Sequence, residues 1–155
     1  MPIEIERKFL VCSEAWRTQA ERAERLVQGY LANTPFSSIR VRMAGEQAWL
    51  NIKQAVSGVR RAEYDYRIPV SDAQELLTLR EGHLIEKTRY HVRCAGQLWE
   101  VDVFGGDNEG LTTGEIELQS VDQPFERPAW LGADISHDAR YYNNMLSLHP
   151  YKSWM

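Results

Sequence analysis

Charged residues recur at every second position in much of this chain, and that spacing constrains the fold more than any other feature. They form six groups: Glu4, Glu6 and Lys8; Arg40 and Arg42; Glu63 and Asp65; Lys87 and Arg89; Glu100 and Asp102; Glu115 and Glu117. The positions between them are mostly apolar or aromatic, as in the segment 39–43, which reads IRVRM. Side chains of a β-strand alternate between its two faces, so each group predicts a strand with one ionic and one apolar face.

The chain is predicted to be mainly β (α+β), with strands joined mostly by short turns. Strands are expected at about 3–11, 27–32, 38–44, 47–54, 61–68, 84–93, 97–104 and 114–120. Helices are predicted over 13–27, from Ser71 to Gly82, and from near Ser136 at the C-terminal end. Because few helices separate the strands, the pattern favours an antiparallel sheet or barrel. No repeat or linker interrupts it, which predicts a single domain over residues 1–155.

Composition excludes several classes of protein. The 155 residues, 43% of them hydrophobic, suffice for one buried core. The 18 Lys and Arg against 22 Asp and Glu give a net charge of -4, which argues against general nucleic-acid binding. No stretch approaches the ~20 apolar residues that span a membrane, and the N-terminus has no signal-peptide pattern. Cys12 and Cys94 are expected to be reduced thiols, so we expect a cytoplasmic protein.

The ionic faces of the strands can be interpreted in two ways. In an ordinary antiparallel sheet they would face water, where ion pairs add little stability. However, the charges are segregated by sign, and like charges adjacent on one face repel unless a ligand compensates them. The other interpretation is an eight-stranded antiparallel barrel with the ionic face inside. Its lining would hold the bases Lys8, Arg40, Arg42, Lys53, Lys87 and Arg89, and the acids Glu4, Glu6, Glu63, Asp65, Glu100, Asp102, Glu115 and Glu117.

Such a lining suits a small and highly charged phosphate compound. Arginine forks and lysine ammonium groups match phosphate oxygens. The acids outnumber the bases, however, so the lining alone would repel a polyphosphate. Carboxylate oxygens bind hard divalent cations such as Mg²⁺ or Mn²⁺, which would reverse that repulsion. The residues therefore predict a metal-dependent site for a phosphate compound.

The segment EIERKFLV, with its Glu4-x-Glu6-x-Lys8 spacing, resembles the N-terminal signature of the CYTH superfamily, also called triphosphate tunnel metalloenzymes. Further matches follow in order: Gln28-Gly29-Tyr30-Leu31, Arg40-x-Arg42, Lys53, Glu63-x-Asp65, Glu86-Lys87-Thr88-Arg89-Tyr90, Asp102-Val103-Phe104, Glu115-x-Glu117 and Asp138-x-Arg140-Tyr141-x-Asn143. The resemblance covers essentially the whole chain. It implies an eight-stranded antiparallel tunnel with a few peripheral helices and a C-terminal helix, which binds a triphosphate and a divalent metal.

Members of this superfamily include inorganic triphosphatases, thiamine triphosphatases, messenger-RNA capping triphosphatases and class IV adenylate cyclases. The short bacterial members that this chain resembles look like inorganic triphosphatases. We therefore expect a phosphoanhydride hydrolase that converts tripolyphosphate to pyrophosphate and phosphate with Mg²⁺ or Mn²⁺. Ala139 and Asn144 stand where similar proteins often carry lysine, and Asp65 stands where glutamate is common.

The resemblance suggests a role for each candidate residue. The substrate-binding residues are expected to be Arg40, Arg42, Lys53, Lys87, Arg89 and, from the C-terminal helix, Arg140. The metal ligands are expected to be Glu4, Glu6 and Glu117, then Glu115 and Asp102, with Glu63 and Asp65 as supporting acids. Lys8, with Tyr30 as its partner, is either a general base, its pKa lowered by neighbouring cations, or one more phosphate contact.

Other functions stay open at this point. The same tunnel could serve a class IV adenylate cyclase acting on ATP, or a thiamine triphosphatase. It could also bind polyphosphate without turnover. No nucleic-acid or membrane partner is expected, and the sequence leaves open whether the chain forms a homodimer.

Overall fold

The computed structural model describes residues 2–55 and 58–154. The strands in that part of the chain are β1 (Ile3–Val11), β2 (Ala20–Asn33), β3 (Ser37–Ala44), β4 (Gln47–Gln54), β5 (Arg60–Ile68), β6 (Glu81–Cys94), β7 (Gln97–Phe104), β8 (Thr112–Glu117) and β9 (Leu131–Asp134). The helices are α1 (Val70–Leu77) and α2 (Asn143–Leu148). Among the described residues, no helix combines the length and apolar character needed to cross a lipid bilayer.

Eight of the strands form a closed antiparallel barrel. Hydrogen-bonded neighbours follow the order β5-β4-β3-β2-β6-β7-β8-β1, and β1 also pairs with β5. This last pairing, with Ile3 opposite Ala62, closes the ring. β9 is an additional strand that pairs with the end of β1, where Val11 lies opposite Leu131. The predicted eight-stranded antiparallel barrel is therefore confirmed.

The apolar faces of the strands form the hydrophobic core, which lies outside the barrel wall. Phe9 and Trp99 are fully buried with their ring centroids 5.9 Å apart, and Trp130 packs against Trp99 from the segment after β8. On another side, α1 buries Ala73 and Leu77 in a cluster with residues of β3 and β4. Covering the apolar faces with helices and loops leaves the ionic faces to line the interior. The interpretation of a simple solvated sheet is therefore wrong.

The predicted helix over 13–27 is wrong. Only Ala15–Gln19 form a short 3₁₀ turn, and the rest belongs to β2, which extends the predicted strand at 27–32 toward the N-terminus. β2 pairs with β6 from Ala20 onward and with β3 from Leu26 onward. A helix here would leave the edges of both strands unpaired, so barrel closure outweighs the local helical pattern.

The two later helices exist, but they differ from their predicted bounds. α1 follows Pro69, whose fixed φ suits the residue before a first turn, and Ser71 forms no cap. It ends before Gly82, which lies in β6 instead. The C-terminal helix begins at Asn143, and Ser136 instead accepts a hydrogen bond from the Lys8 backbone N–H at 2.9 Å. That contact ties the segment before α2 to β1.

Gly82 of β6 packs so closely against the backbone of α2 that no side chain fits between them. Its φ is +66°, and a Cβ here would clash with the carbonyl oxygen of Ser147. We expect Gly82→Ala to lower the free energy of unfolding by about 2–4 kcal/mol, from backbone strain and displacement of α2. Urea unfolding measures this. Gly45→Ala, at φ +61° with nothing within 4 Å, is the control for strain alone. Equal losses in the two variants would contradict the proposed contact.

Candidate active site

The barrel encloses a cavity of about 210 Å³ whose lining is almost entirely charged. The lining residues are Glu4, Glu6, Arg40, Arg42, Lys53, Glu63, Lys87, Arg89, Glu100, Glu115, Glu117 and Asn143. The structure thus brings together five of the six predicted substrate-binding cations and four of the five predicted metal ligands. Apart from Asn143, the lining residues come from seven strands of the barrel, whose alternation turns each ionic face toward the same space.

Two guanidinium groups in this cavity, those of Arg40 and Arg42, form no ion pair with a carboxylate in the described residues. Arg40 is 5% exposed, and its buried Nε has no hydrogen-bond partner there. Arg42 Nε donates to the neutral amide oxygen Gln28 Oε1 at 2.8 Å. Burial, together with the charges of Arg40 and Arg89, lowers the pKa of Arg42 to about 9. Cations shielded from water without a counterion are unfavourable, and an anion would compensate the two groups.

Lys87 and Arg89 are held by a shared carboxylate, that of Asp102. Asp102 Oδ2 lies 2.8 Å from Lys87 Nζ, and Asp102 Oδ1 accepts from Arg89 Nε at 2.8 Å. Burial opposes ionisation of Asp102, but the charges of Arg89 and Lys87 hold its pKa well below the ordinary value. Burial also lowers the pKa of Lys87 to about 7. Asp102 therefore fixes both cations in the barrel wall.

Carboxylates are concentrated on β1, β7 and β8, where they repel one another. Glu6 lies directly opposite Glu117, and neither forms an ion pair within the described residues. Burial and the charges of Glu4 and Glu6 raise the pKa of Glu117. Glu100 lies opposite Glu115, and chiefly through burial its pKa is raised to about 7. This part of the wall has an excess of negative charge that a cation would compensate.

Lys8 lies among carboxylates rather than among cations. Its Nζ is 3.2 Å from Glu115 Oε1 and 3.4 Å from the carbonyl oxygen of Tyr141. Burial lowers the pKa of Lys8, but the charges of Glu115 and Glu6 outweigh it, so the pKa is raised. The expectation that neighbouring cations lower this pKa is therefore wrong. Tyr30 lines the same narrow space as Lys8, but no hydrogen bond joins them in the described residues.

The sign of the lining charge differs between the two spaces that adjoin the cavity. A narrower space of about 40 Å³ is lined by four bases and one acid, namely Lys8, Arg40, Lys53, Arg61 and Glu6. A wider mouth of about 460 Å³ is lined by four acids, Glu4, Glu63, Asp65 and Glu117. Its described lining residues include no base. An anion is attracted to the first space and a cation to the second.

Arg140 does not line the cavity in this structure, so its role in substrate binding stays a prediction. Its side chain is 67% exposed, and Arg140 Nη2 lies 2.7 Å from Asp138 Oδ2. The guanidinium also lies over the ring of Trp154, 5.2 Å from its centroid. Asp138, two residues earlier, also accepts a hydrogen bond from the Arg140 backbone N–H and so keeps the side chain at the surface.

Two of the predicted acidic residues, Asp102 and Asp65, are absent from the lining of the main cavity. Asp102 is fully buried behind Lys87 and Arg89, and both of its oxygens contact these cations, so the structure does not support its predicted role as a metal ligand. It acts on the two cations instead. Asp65 lies in the exposed acidic mouth, where Asn51 Nδ2 approaches its Oδ1 at 3.5 Å.

Sequence reasoning missed three residues that line or support the site. Arg61 lies in the basic space, two positions before Glu63 on β5, and the alternation that identified Glu63 would also have identified it. Gln28 and Asn143 were noted only as parts of motifs. Both are neutral amides, so a search for charge spacing could not detect them, although they contact Arg42 and Lys87 respectively.

The acidic side chains of the cavity supply oxygen donors for a divalent cation. Among the residues that the structure describes, no three His, Cys, Asp or Glu side chains are already arranged around a common point. The chemistry nevertheless fits: Glu6 and Glu117 oppose each other, and Glu4 and Glu6 raise the pKa of Glu117. Mutually repelling carboxylates with free oxygen atoms are the ligands that hard cations prefer.

Comparison with known proteins adds independent information. The family described as CYTH domain matches residues 2–143. An inorganic triphosphatase of Acetivibrio thermocellus is 41% identical over 152 residues, covering 97% of each chain. An inorganic triphosphatase of Nitrosomonas europaea is 40% identical over 150 residues, covering 94% of this chain and 97% of that protein. The crystal structure of an inorganic triphosphatase superimposes with a TM-score of 0.70 at 38% identity, covering 96% of both chains.

Proposed function

Because the chain belongs to the CYTH domain family, we propose that it is an inorganic triphosphatase, which hydrolyses tripolyphosphate to pyrophosphate and phosphate inside its barrel. The observation that carries the proposal is the pair of guanidinium groups of buried Arg40 and half-buried Arg42, which have no carboxylate partner in the described residues. They face the repelling carboxylates Glu6 and Glu117 across one cavity. An anion and a divalent cation together would satisfy both sets.

The cations of the lining bind and orient the phosphate chain. Arg40 and Arg42 offer guanidinium groups that no carboxylate of the described chain pairs with, while Lys53, Lys87 and Arg89 are already held by carboxylates and act as fixed positive charges. Fixed charges around the terminal phosphoryl group stabilise its transition state without rearrangement. A water molecule attacks the terminal phosphorus, and the bond to the bridging oxygen breaks, with pyrophosphate as the leaving group.

Mg²⁺ or Mn²⁺ would be held by Glu4, Glu6 and Glu117, with Glu115 near them and Glu63 and Asp65 as supporting acids at the mouth. When bound, the ion neutralises charge on the substrate and helps to align the attacking water. The acidic mouth supports this assignment because it concentrates cations next to these residues.

Lys8 is assigned as a contact to the substrate rather than as a general base. Glu115 and Glu6 favour its charged form, and a protonated amine cannot accept a proton from water. Tyr30 lines the same space and stays a candidate partner for the substrate or the water. The two free thiols, Cys12 and Cys94, support the cytoplasm as the location.

The function is tested by a panel of substrates with Mg²⁺, with Mn²⁺ and with EDTA. We expect phosphate release from tripolyphosphate to exceed release from ATP, thiamine triphosphate or pyrophosphate, and EDTA to stop it. Cyclic AMP formed from ATP would favour a class IV adenylate cyclase instead. Preference for thiamine triphosphate would contradict the inorganic substrate.

The binding of metal-free tripolyphosphate should depend on pH through Lys87 and Glu100. Both have a pKa of about 7, so a rise in pH removes a positive charge from Lys87 and adds a negative charge to Glu100. A bound anion favours both protonated forms, and affinity should fall by up to about tenfold per pH unit for each group.

Titration calorimetry in EDTA, between about pH 6 and about pH 8, measures this dependence. Lys87→Arg keeps the positive charge and does not titrate in that range. The substrate's own ionisation affects both proteins equally, so the difference between their curves reports the titration of Lys87. The decline should be shallower in Lys87→Arg. Identical curves for the two proteins would contradict the role of Lys87.

A further inference from the structure

Two of the phosphate-binding cations are connected through a chain of neutral amides in the barrel wall. Arg42 Nε donates to Gln28 Oε1 at 2.8 Å. Gln28 Nε2 in turn donates to Asn143 Oδ1 at 3.4 Å, and the same oxygen accepts from Lys87 Nζ at 3.0 Å. The chain therefore joins Arg42 on β3 to Lys87 on β6 through β2 and the first residue of α2.

The position of Gln28 is fixed by the fold. It lies directly opposite Arg42 in the register of β2 and β3, and it is fully buried. Its amide can take only one orientation, because the oxygen must face the Arg42 donor and the nitrogen must face Asn143. A buried amide with both ends engaged holds its partner in one place.

The neutrality of Gln28 matters for Arg42. Arg89, which lines the same cavity from β6, is paired with the carboxylates of Asp102 and Glu100, which occupy its Nε, Nη1 and Nη2 groups. Gln28 takes only the Nε of Arg42, and in the described residues both Nη groups have no carboxylate partner. An amide therefore orients the guanidinium without neutralising it.

We propose that Gln28 is a positioning residue that holds Arg42 ready for the phosphate chain, with Asn143 linking it to Lys87. This inference rests on the proposed function, since it concerns substrate binding in the same cavity. Gln28 itself acts through Arg42. A change at position 28 should accordingly raise the KM for tripolyphosphate more than it lowers kcat.

The test is a double-mutant cycle between positions 28 and 42. Gln28→Met keeps the length of the side chain but removes the acceptor, and we expect it to raise KM about tenfold. In an Arg42→Ala background the same change should have no further effect on KM, because the group through which it acts is gone. Gln28→Glu should also raise KM, since a carboxylate would neutralise Arg42. The exposed Gln47→Met is the matched control.

The cycle separates positioning from a structural role. A loss from Gln28→Met that persists undiminished in the Arg42→Ala background would overturn the proposal, as would an unchanged KM in the single variant. Circular dichroism checks the folding of each variant, and Gln28→Leu, which also lacks the acceptor and adds no charge, takes the place of Gln28→Met if that protein does not fold. If the unmodified protein does not hydrolyse tripolyphosphate, the proposed function fails, and the same cycle is measured by calorimetric binding of tripolyphosphate.

Discussion

Replacing Arg40 with alanine is expected to raise the KM for tripolyphosphate by about a hundredfold or more, because two charge-assisted hydrogen bonds to phosphate are lost. The guanidinium is buried, has no carboxylate partner in the described residues, and lines both the main cavity and the basic space. Its charge is available to the substrate for that reason. Steady-state kinetics over a wide range of substrate concentration measures the change.

Stability distinguishes this effect from damage to the fold. An unpaired buried cation does not stabilise the empty barrel, so Arg40→Ala should unfold at the same temperature as the unmodified protein, or at a higher one. Arg22→Ala, on the exposed part of β2, is the matched control and should leave KM unchanged. An unchanged KM in Arg40→Ala would contradict the assignment of the anion site.

The second large effect is expected from the paired substitution Glu6→Gln and Glu117→Gln. These carboxylates lie opposite each other, and we expect kcat/KM with Mg²⁺ to fall by about a thousandfold when both lose their charge. In the absence of metal, the same substitutions remove a repulsion across the strands. The unfolding free energy of the metal-free protein should therefore rise by a few tenths of a kcal/mol to about 1 kcal/mol.

The opposite signs of these two changes make the prediction specific to metal binding. Chemical unfolding in EDTA measures the stability, and phosphate release with Mg²⁺ measures the activity. Glu46→Gln together with Glu75→Gln, both exposed, removes the same charge elsewhere and should change neither quantity much. Full activity in the Glu6 and Glu117 variant would show that the metal is held elsewhere.

The barrel could be predicted from sequence because its determinants are periodic. Charges at every second position of β1, β3, β5, β6, β7 and β8 identified the inner face, and the cavity lining contains most of those residues. Segment 13–27 was predicted wrongly because its apolar stripe fits a helix, while pairing with β6 and β3 requires a strand. The local sequence pattern does not reveal this pairing, since the partner strands are distant in sequence.

The chemistry of individual site residues was harder to predict than their placement. Whether Lys8 is surrounded by cations or by carboxylates depends on which strands adjoin β1, and the neighbour is β8 with Glu115. Arg140 stands in a motif that resembles the family's C-terminal helix, yet Asp138 holds it at the surface. Gln28 carries no charge, so its contact with Arg42 appears only in the folded chain.

The most direct test of the account is phosphorus-31 NMR of tripolyphosphate incubated with the purified protein and Mg²⁺. Phosphate and pyrophosphate should appear in equal amounts, and EDTA should stop their formation. Tripolyphosphate that is bound tightly in the presence of Mg²⁺ or Mn²⁺ but never cleaved would contradict this prediction, and would identify the barrel as a binding module.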